Sequence, residues 1–487
     1  MLKLISIFRL SALSWLVLLL IMAGPAVRQG TAAVVKAATG LSLGYEWYER
    51  KYDTETSSGQ EDQGTITTTT EDLTNTLDDS YSRMRITPLI DIERITARDS
   101  LKLQYKPSYR YDLQTYDHDI DHRLQVSLSR YITQNWQFNL NDDLLVSDIV
   151  EEREEEEIAD TDSLSDNDGR RQYLKNVFTL SSSYTYWEES TLAFYYTYTL
   201  LENLEDDFSE SYQNYDKHSF LLSAIHRFDS NWKVSLSSGY VRGLFDEQEQ
   251  SITAEVKEIE DDLEELRLAV TLHNYMVLHQ PLGLSYRFYG VDFDDPLKSS
   301  SVINDFTVDW QWNYSKRMTI SLGAGPSYAK TDGQDGEWGY NGTFGFQYNL
   351  EGGHLRLSGD RGYARQNFSG TDENGLQEYW QLRADVQYQV FQDIALSAHA
   401  SYRNEDQERI VDYLFSDDTS TESEYLLSDF NREMSRIGVA LNYSFLQWYS
   451  LEFSYNFTHQ TSERENESYE EHRFFVTLNF SKDILNM

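Results

Sequence analysis

Lysine and arginine recur in this sequence on one side of alternating segments, sharing that side with Ser, Thr, Asn, Gln and Tyr while the intervening residues are apolar. Arg83, Arg85, Lys102, Lys106, Arg110 and Arg123 have this parity early in the chain, and Lys175, Arg227, Arg267 and Arg287 have it in the middle. Arg356, Arg383, Arg436 and Arg473 have it towards the end, and Arg50, Lys217, Lys233, Arg403 and Arg432 join them. The same side carries Glu46, Asp91, Glu93, Asp121, Asp143, Glu265, Asp305, Asp309, Asp360, Asp385, Glu452 and Glu471. Roughly nineteen cations thus share a face with about twelve carboxylates, by the period-two count. The chemistry open to such a face is anion recognition, because a planar guanidinium matches carboxylate and phosphate oxygens. Neighbouring hydroxyls and amides suit sugar hydroxyls. A second reading stands beside this one: charges on a wetted wall pair with each other and only keep it hydrated.

The chain as a whole has the opposite sign. Its 487 residues hold 41 Lys+Arg against 81 Asp+Glu, a formal charge of −40, so the acid must lie between the alternating segments, as in Glu151 to Asp162. Such acidity excludes nucleic acid as a partner, since phosphate needs basic surface. The absence of cysteine excludes disulfides, thiolate metal sites and covalently attached haem. Asp117 to His122 sets two histidines four residues apart among carboxylates, but in a loop entering a strand, without the helical geometry that would aim both at one metal. His226 and His273 lie near serines with no nucleophile motif such as GxSxG. No enzyme activity, cofactor or metal is expected.

The elements that must position these side chains are strands. From Gln172, Leu174, Phe178, Leu180, Tyr184 and Tyr186 alternate with small polar residues; after Trp187-Glu188-Glu189-Ser190 the pattern resumes with Leu192, Phe194, Tyr196, Tyr198 and Leu200. Strands of about twelve residues exceed the globular norm and reach the ~9–11 that cross a bilayer when tilted. An apolar aromatic face opposite a polar one is the pattern of a strand with lipid outside and water inside. The unit recurs about twenty times, with 18 or 22 as the neighbouring even numbers. Connections alternate strictly between short ones, such as Thr133 to Asn135 and Leu446 to Trp448, and long ones, such as Thr54 to Asp79 and Asn404 to Arg432. Trp136, Trp187, Trp232 and Trp448 all border short turns, as a periplasmic aromatic girdle requires. The expected fold is all-β: a single antiparallel up-and-down transmembrane barrel with short periplasmic turns and long acidic outer loops.

Some features strain that scheme. Pro88, Pro107 and Pro326 fall inside strands, where bulges would accommodate them, and Asp142 has lipid-facing parity unless its strand bulges. Val256, Ile259, Leu263 and Leu266 have near-helical spacing, so 251–266 reads either as a short helix, placed to plug the lumen, or as a longer strand. At the N-terminus Lys3 and Arg9 precede an apolar run from Leu10 to Met22 and then small residues, a secretory signal over residues 1–26, with cleavage as late as 37. The barrel is expected over 41–480 and a short tail over 481–487.

The stretch from Leu101 to Asp148 resembles outer-membrane β-barrel proteins associated with exopolysaccharide and exosortase systems. The residues that carry the likeness are the tyrosine-rich strand with Pro107-Ser108-Tyr109, the strand from His122 to Ser129, a short turn, and Leu140 to Leu144. The resemblance implies a role in polysaccharide secretion and carries no site residues. Combined with the basic face, it gives as first expectation an outer-membrane channel exporting an anionic polysaccharide. An anion-preferring porin for small solutes and a scaffold or sheath around a partner protein are the alternatives. The expected partners are the bilayer and its lipopolysaccharide, the outer-membrane assembly machinery, which would read the final strand ending at Phe480, and periplasmic polysaccharide-export components.

Overall fold

The computed structural model describes residues 34–52, 79–147, 172–204, 214–246, 248–252, 255–259, 262–275, 280–294, 300–333, 335–368, 375–413, 425–463 and 468–486. The expected signal segment and the acidic run Glu151 to Asp162 lie outside the described residues. In chain order the strands are β1 Val34–Tyr52, β2 Asp79–Ile95, β3 Asp99–Asp112, β4 His118–Thr133, β5 Trp136–Ser147, β6 Tyr173–Trp187, β7 Ser190–Asn203 and β8 Tyr215–Arg227. They continue with β9 Trp232–Phe245, β10 Gln248–Ile252, β11 Glu255–Ile259, β12 Leu263–Asn274, β13 Leu282–Phe293, β14 Ser301–Ser315 and β15 Met318–Thr331. The last seven are β16 Glu337–Asn349, β17 Gly353–Gln366, β18 Gly375–Phe391, β19 Ile394–Tyr413, β20 Tyr425–Phe445, β21 Tyr449–Ser462 and β22 Tyr469–Asn486.

Each strand of the wall pairs antiparallel with the next, β9 pairs directly with β12, and β1 pairs with both β2 and β22. The result is a closed barrel of 20 strands. With strands ~4.8 Å apart and tilted by ~40°, such a ring is about 40 Å across at the backbone. Closure leaves no free edge, which a wall standing in hydrocarbon needs, because an unpaired backbone group there has no water to bond. The outward face is apolar: Leu41, Leu43, Met84, Ile86, Leu284, Val308, Leu322 and Ile437 are all exposed. So broad an exposed apolar surface is incompatible with water as the outer solvent.

Several expectations are corrected. The stretch 251–266 is neither a helix nor one longer strand; β10 and β11 form a separate two-stranded hairpin and β12 starts at Leu263. Val256 and Ile259 are three positions apart, a helical interval, but pairing of Gln250 with Lys257 and Ser251 with Val256 fixes a hairpin. The expected tail 481–487 is wall as far as Asn486, since Ser481, Lys482 and Asp483 pair with Gly40, Thr39 and Ala38. Strand one correspondingly starts at Val34, not at 41, so that Ala37 lies within it. Loop lengths do not alternate strictly either. At the long-loop end, β3 to β4 and β15 to β16 are joined by only residues 113–117 and 332–336, while 275–281 at the short-turn end is longer.

The prolines sit in open ladders, not bulges. Between β2 and β3 the pairing stops at Ile86–Tyr109 and resumes at Ile90–Tyr105 with no change of register. Pro88 and Pro107 occupy that gap, and Thr87 Oγ1 donates to Ser108 Oγ at 2.9 Å across it. Between β14 and β15 the pairs from Asp305–Ser327 to Val308–Ala324 are interrupted at Pro326 in the same way. There Asn341 Nδ2 reaches the Phe306 carbonyl at 3.3 Å, and Thr307 Oγ1 reaches Asn341 Oδ1 at 3.0 Å. Asp142 does face outward, in register with Val126 and Phe178 and without a bulge. With its amide oriented to donate, Asn176 sets a nitrogen 3.0 Å from Asp142 Oδ1 and so supplies the charge with a donor in the wall.

Gly325 is needed where it stands: a Cβ there would overlap the Phe306 carbonyl of the neighbouring strand. Gly325→Ala is therefore expected to lose about 1–3 kcal/mol through overpacking. The check is the urea midpoint of folded barrel in lipid vesicles, read by the shift between folded and unfolded bands on unheated gels.

Candidate functional site: the lumenal wall

Strand parity and register place the polar face on the inside, where the longest side chains interlock. Tyr48 and Arg50 on β1 are 1% and 2% exposed. Arg50 Nε donates to Glu471 Oε2 at 2.9 Å, and Arg473 Nε lies 2.7 Å from Glu471 Oε1, so one carboxylate on β22 holds two guanidinium groups. The same device recurs on β19, where Glu405 is bonded by Arg403 at 2.7 Å and by Arg432 at 3.1 Å. Further along, Arg85 pairs with Glu46, Arg83 with Asp112, Lys102 with Asp91, and Arg123 with Asp143. Arg110, 1% exposed, donates to Asp121 at 2.8 Å. Arg267 bonds Glu265 two residues away, and Arg287 lies 3.6 Å from Asp305. Most of the wall's positive charge is thus matched by a neighbouring carboxylate, and these pairs brace the strands.

Unmatched charge remains at a few positions. Among the described residues Lys106, Arg356 and Arg436 form no ion pair, and the shielded Nε of Arg436 has no hydrogen-bond partner. With its amide suitably oriented, Gln381 accepts from Arg383 Nε and Nη2. Register aligns Ser358, Arg383, Ser401, Arg436 and Thr458 in one row across β17 to β21. Arg383 and Arg436 therefore stand two strand spacings apart, about 10 Å, with a hydroxyl between them. The next row towards the short turns runs Arg356, Asp385, His399, Gly438, Asn456 and Arg473. This patch joins guanidinium, imidazole, amide and hydroxyl groups with the Asp385 carboxylate opposite Arg356, and its guanidinium groups are what a passing anion meets.

Other expected site residues fall elsewhere. Arg227 closes the turn after β8, donating to the Asp229 carbonyl at 2.9 Å and the Ser230 carbonyl at 3.2 Å and pairing with Glu189. It is a staple of the short-turn rim. Lys175 is in register with Leu145 and Leu201, next to a largely apolar part of the inner wall. Trp136, Trp187, Trp232 and Trp448 are all exposed at the short-turn end. Trp136 Nε1 donates to Ser182 Oγ at 2.8 Å, and Lys482 Nζ sits 4.5 Å from the Trp448 ring centroid.

The sequence reading missed Asn367 and Phe368, at the start of the connection from β17 to β18. The ladder between β16 and β17 ends at Gly342–Arg361, although both strands continue towards the long-loop end; above that point β17 pairs only with β18, as far as Gln366–Gly375. Arg361 marks the parting, bonding Tyr340 OH and Glu378. Beyond it the hairpin reaches into the lumen. Phe368 is fully buried against Tyr215 of β8 and Phe245 of β9, with ring centroids 5.2 and 5.6 Å away. Leu201, Val241, Leu263, Val291 and Phe293 complete this cluster, and Leu376 of β18 packs with Ile303 and Ala329 of β14 and β15. The Lys217 ammonium lies 4.2 Å from the Phe368 ring centroid. Asn367 Nδ2 bonds Glu265 Oε1 at 2.6 Å and Tyr289 OH at 2.9 Å. Burying such a phenyl ring stabilises the seated tip by about 1.5–3 kcal/mol. The available signal was an aromatic in a polar outer connection, residues 367–374.

A closed antiparallel barrel with an apolar exterior and a charged, hydroxyl-rich interior defines a transmembrane β-barrel. No protein-family model and no curated protein matches the sequence. Among solved structures the chain is similar to a mutant of the ferric enterobactin receptor PfeA from Pseudomonas aeruginosa in complex with enterobactin, at 10% identity and TM-score 0.49, covering 91% of this chain and 81% of that one. It is similar to OccK9 (OpdG) from Pseudomonas aeruginosa at 11% identity and TM-score 0.40, covering 92% and 98%. The copper transporter OprC matches at 9% identity and TM-score 0.47, covering 91% and 80%.

Proposed function

We propose that this barrel is an outer-membrane channel that passes anionic solutes, and that its solute is an acidic polysaccharide leaving the cell. The observation that carries the reading is that Arg356 and Arg436 form no ion pair among the described residues, on a wall where most other cations are paired. A fixed guanidinium attracts carboxylate and repels cations, while nearby Ser401, Thr458 and Asn456 suit the hydroxyls of a sugar chain. Export is preferred to open diffusion as the reading that goes with a hairpin tip seated inside the barrel, which a gated exit tolerates. The likeness of Leu101 to Asp148 to exopolysaccharide-associated barrels supports the same reading. Lipopolysaccharide around the wall, the assembly machinery that inserts barrels and periplasmic export components are the partners that go with it.

The test is planar-bilayer recording of the refolded barrel. A polyuronate added at the short-turn side should block the current at concentrations at which a neutral glucan does not. Equal block by both polymers, or cation selectivity of the unblocked pore, would remove the basis for the proposal.

A further inference from the structure

We infer that the tip of the β17–β18 hairpin, Asn367 and Phe368, is a latch that narrows the outer mouth and determines the size of what passes; this rests on the channel reading. Three independent features converge on it. The β16–β17 ladder ends at Gly342–Arg361, so above it β17 is backbone-paired on the β18 side alone, and β18 stays paired with β19 through Gln377–Gln407. A tip released from its seat can therefore swing without breaking any further β16 pairing. The seat itself is formed on the inner wall by strands remote in the ring, β8, β9, β12 and β13, and it fits a single ring. Gly243 shows the fit from the wall side: a Cβ there would lie 2.8 Å from Cε1 and 2.9 Å from Cζ of Phe368, so only a glycine leaves room for the ring.

The polar half of the latch is equally specific. Glu265 is fully buried, yet one of its oxygens accepts from Asn367 while the other is held by Arg267. Asn367 therefore supplies a hydrogen bond to a buried carboxylate, and Lys217 caps the ring that follows it. A loop that merely rested in the lumen would not combine a socket for its aromatic with a buried acceptor for the adjacent amide. In the seated state the tip spans from β17 and β18 to β8, β9, β12 and β13, with β14, β15 and β16 between, and the outer mouth is narrowed by that span.

The barrel's lack of cysteine makes the inference directly testable. Phe368→Ala removes the ring and Gly243→Leu fills the seat, so either should raise single-channel conductance by about two-fold or more and admit larger neutral oligosaccharides in liposome swelling. The anion-to-cation permeability ratio should stay within experimental error of wild type, because no unpaired arginine has been touched. Gly243→Cys combined with Phe368→Cys should conduct like Phe368→Ala until a short bis-maleimide joins the two thiols, and then return to the wild-type value. If Phe368→Ala and Gly243→Leu both leave conductance and size limit unchanged, or if cross-linking leaves the double variant wide, the latch is overturned. A wild-type reversal potential of the wrong sign, with the size changes intact, would instead count against the anion reading alone.

Discussion

Replacing Arg356, Arg383 and Arg436 together by alanine is expected to lower the anion-to-cation permeability ratio by roughly five- to ten-fold. At ~10 Å and an effective dielectric of ~40, one fixed charge is worth about 0.8 kcal/mol to a passing ion, and physiological salt reduces that to about 0.25. Three such charges act with opposite sign on an anion and a cation, so they separate the two by about 1.4 kcal/mol, or about a factor of ten. The measurement is the reversal potential across a ten-fold salt gradient, repeated at low ionic strength, where the difference between variant and wild type should grow. As a comparison, Arg123→Ala removes a cation paired with Asp143 at 2.8 Å and leaves that carboxylate behind. If the triple variant kept the wild-type reversal potential, selectivity would have to arise away from β17 to β20.

Glu471→Ala is the substitution expected to cost most in stability. Its carboxylate joins Arg50, 2% exposed, to Arg473, and removing it leaves two guanidinium groups in a tightly packed wall with only Tyr48, Tyr469 and their other neighbours around them. Breaking a buried pair by deleting one partner typically costs about 3–5 kcal/mol, most of it the penalty on the charge left behind. Glu471→Gln keeps the shape and one acceptor and should lose clearly less. Urea unfolding from lipid vesicles, followed by tryptophan fluorescence, separates these cases. A Glu471→Ala midpoint equal to wild type would show that the Arg50 and Arg473 side chains reach water or other acceptors without it.

Parity along each strand was legible because a period of two survives any error in strand ends: Leu192, Phe194 and Tyr196 face outward wherever β7 is taken to start. The same parity delivered the inner set of cations. It could not tell which of them are neutralised, since that depends on register between strands far apart in sequence; Arg50 and Glu471 are 421 positions apart. Arg110 and Arg436 read alike in the sequence, yet one is paired and buried and the other has no ion pair among the described residues. Nor could a one-dimensional pattern show that the β16–β17 ladder stops at Gly342, because the alternation continues through Tyr363 and the decision is made by what Phe368 finds across the lumen. The residues around Val256 misled for a related reason: an interval of three fits both a helical face and a strand read over too short a window.

The seam between β1 and β22 binds the first described residues to the last, with Lys36 opposite Asn486 and Tyr52 opposite Tyr469. No partial polypeptide can make that contact, so until its final segment is delivered the nascent sheet presents two raw borders to anything nearby. A chain truncated before Ser481 would lose the pairs to Lys36 through Gly40 that finish the ring.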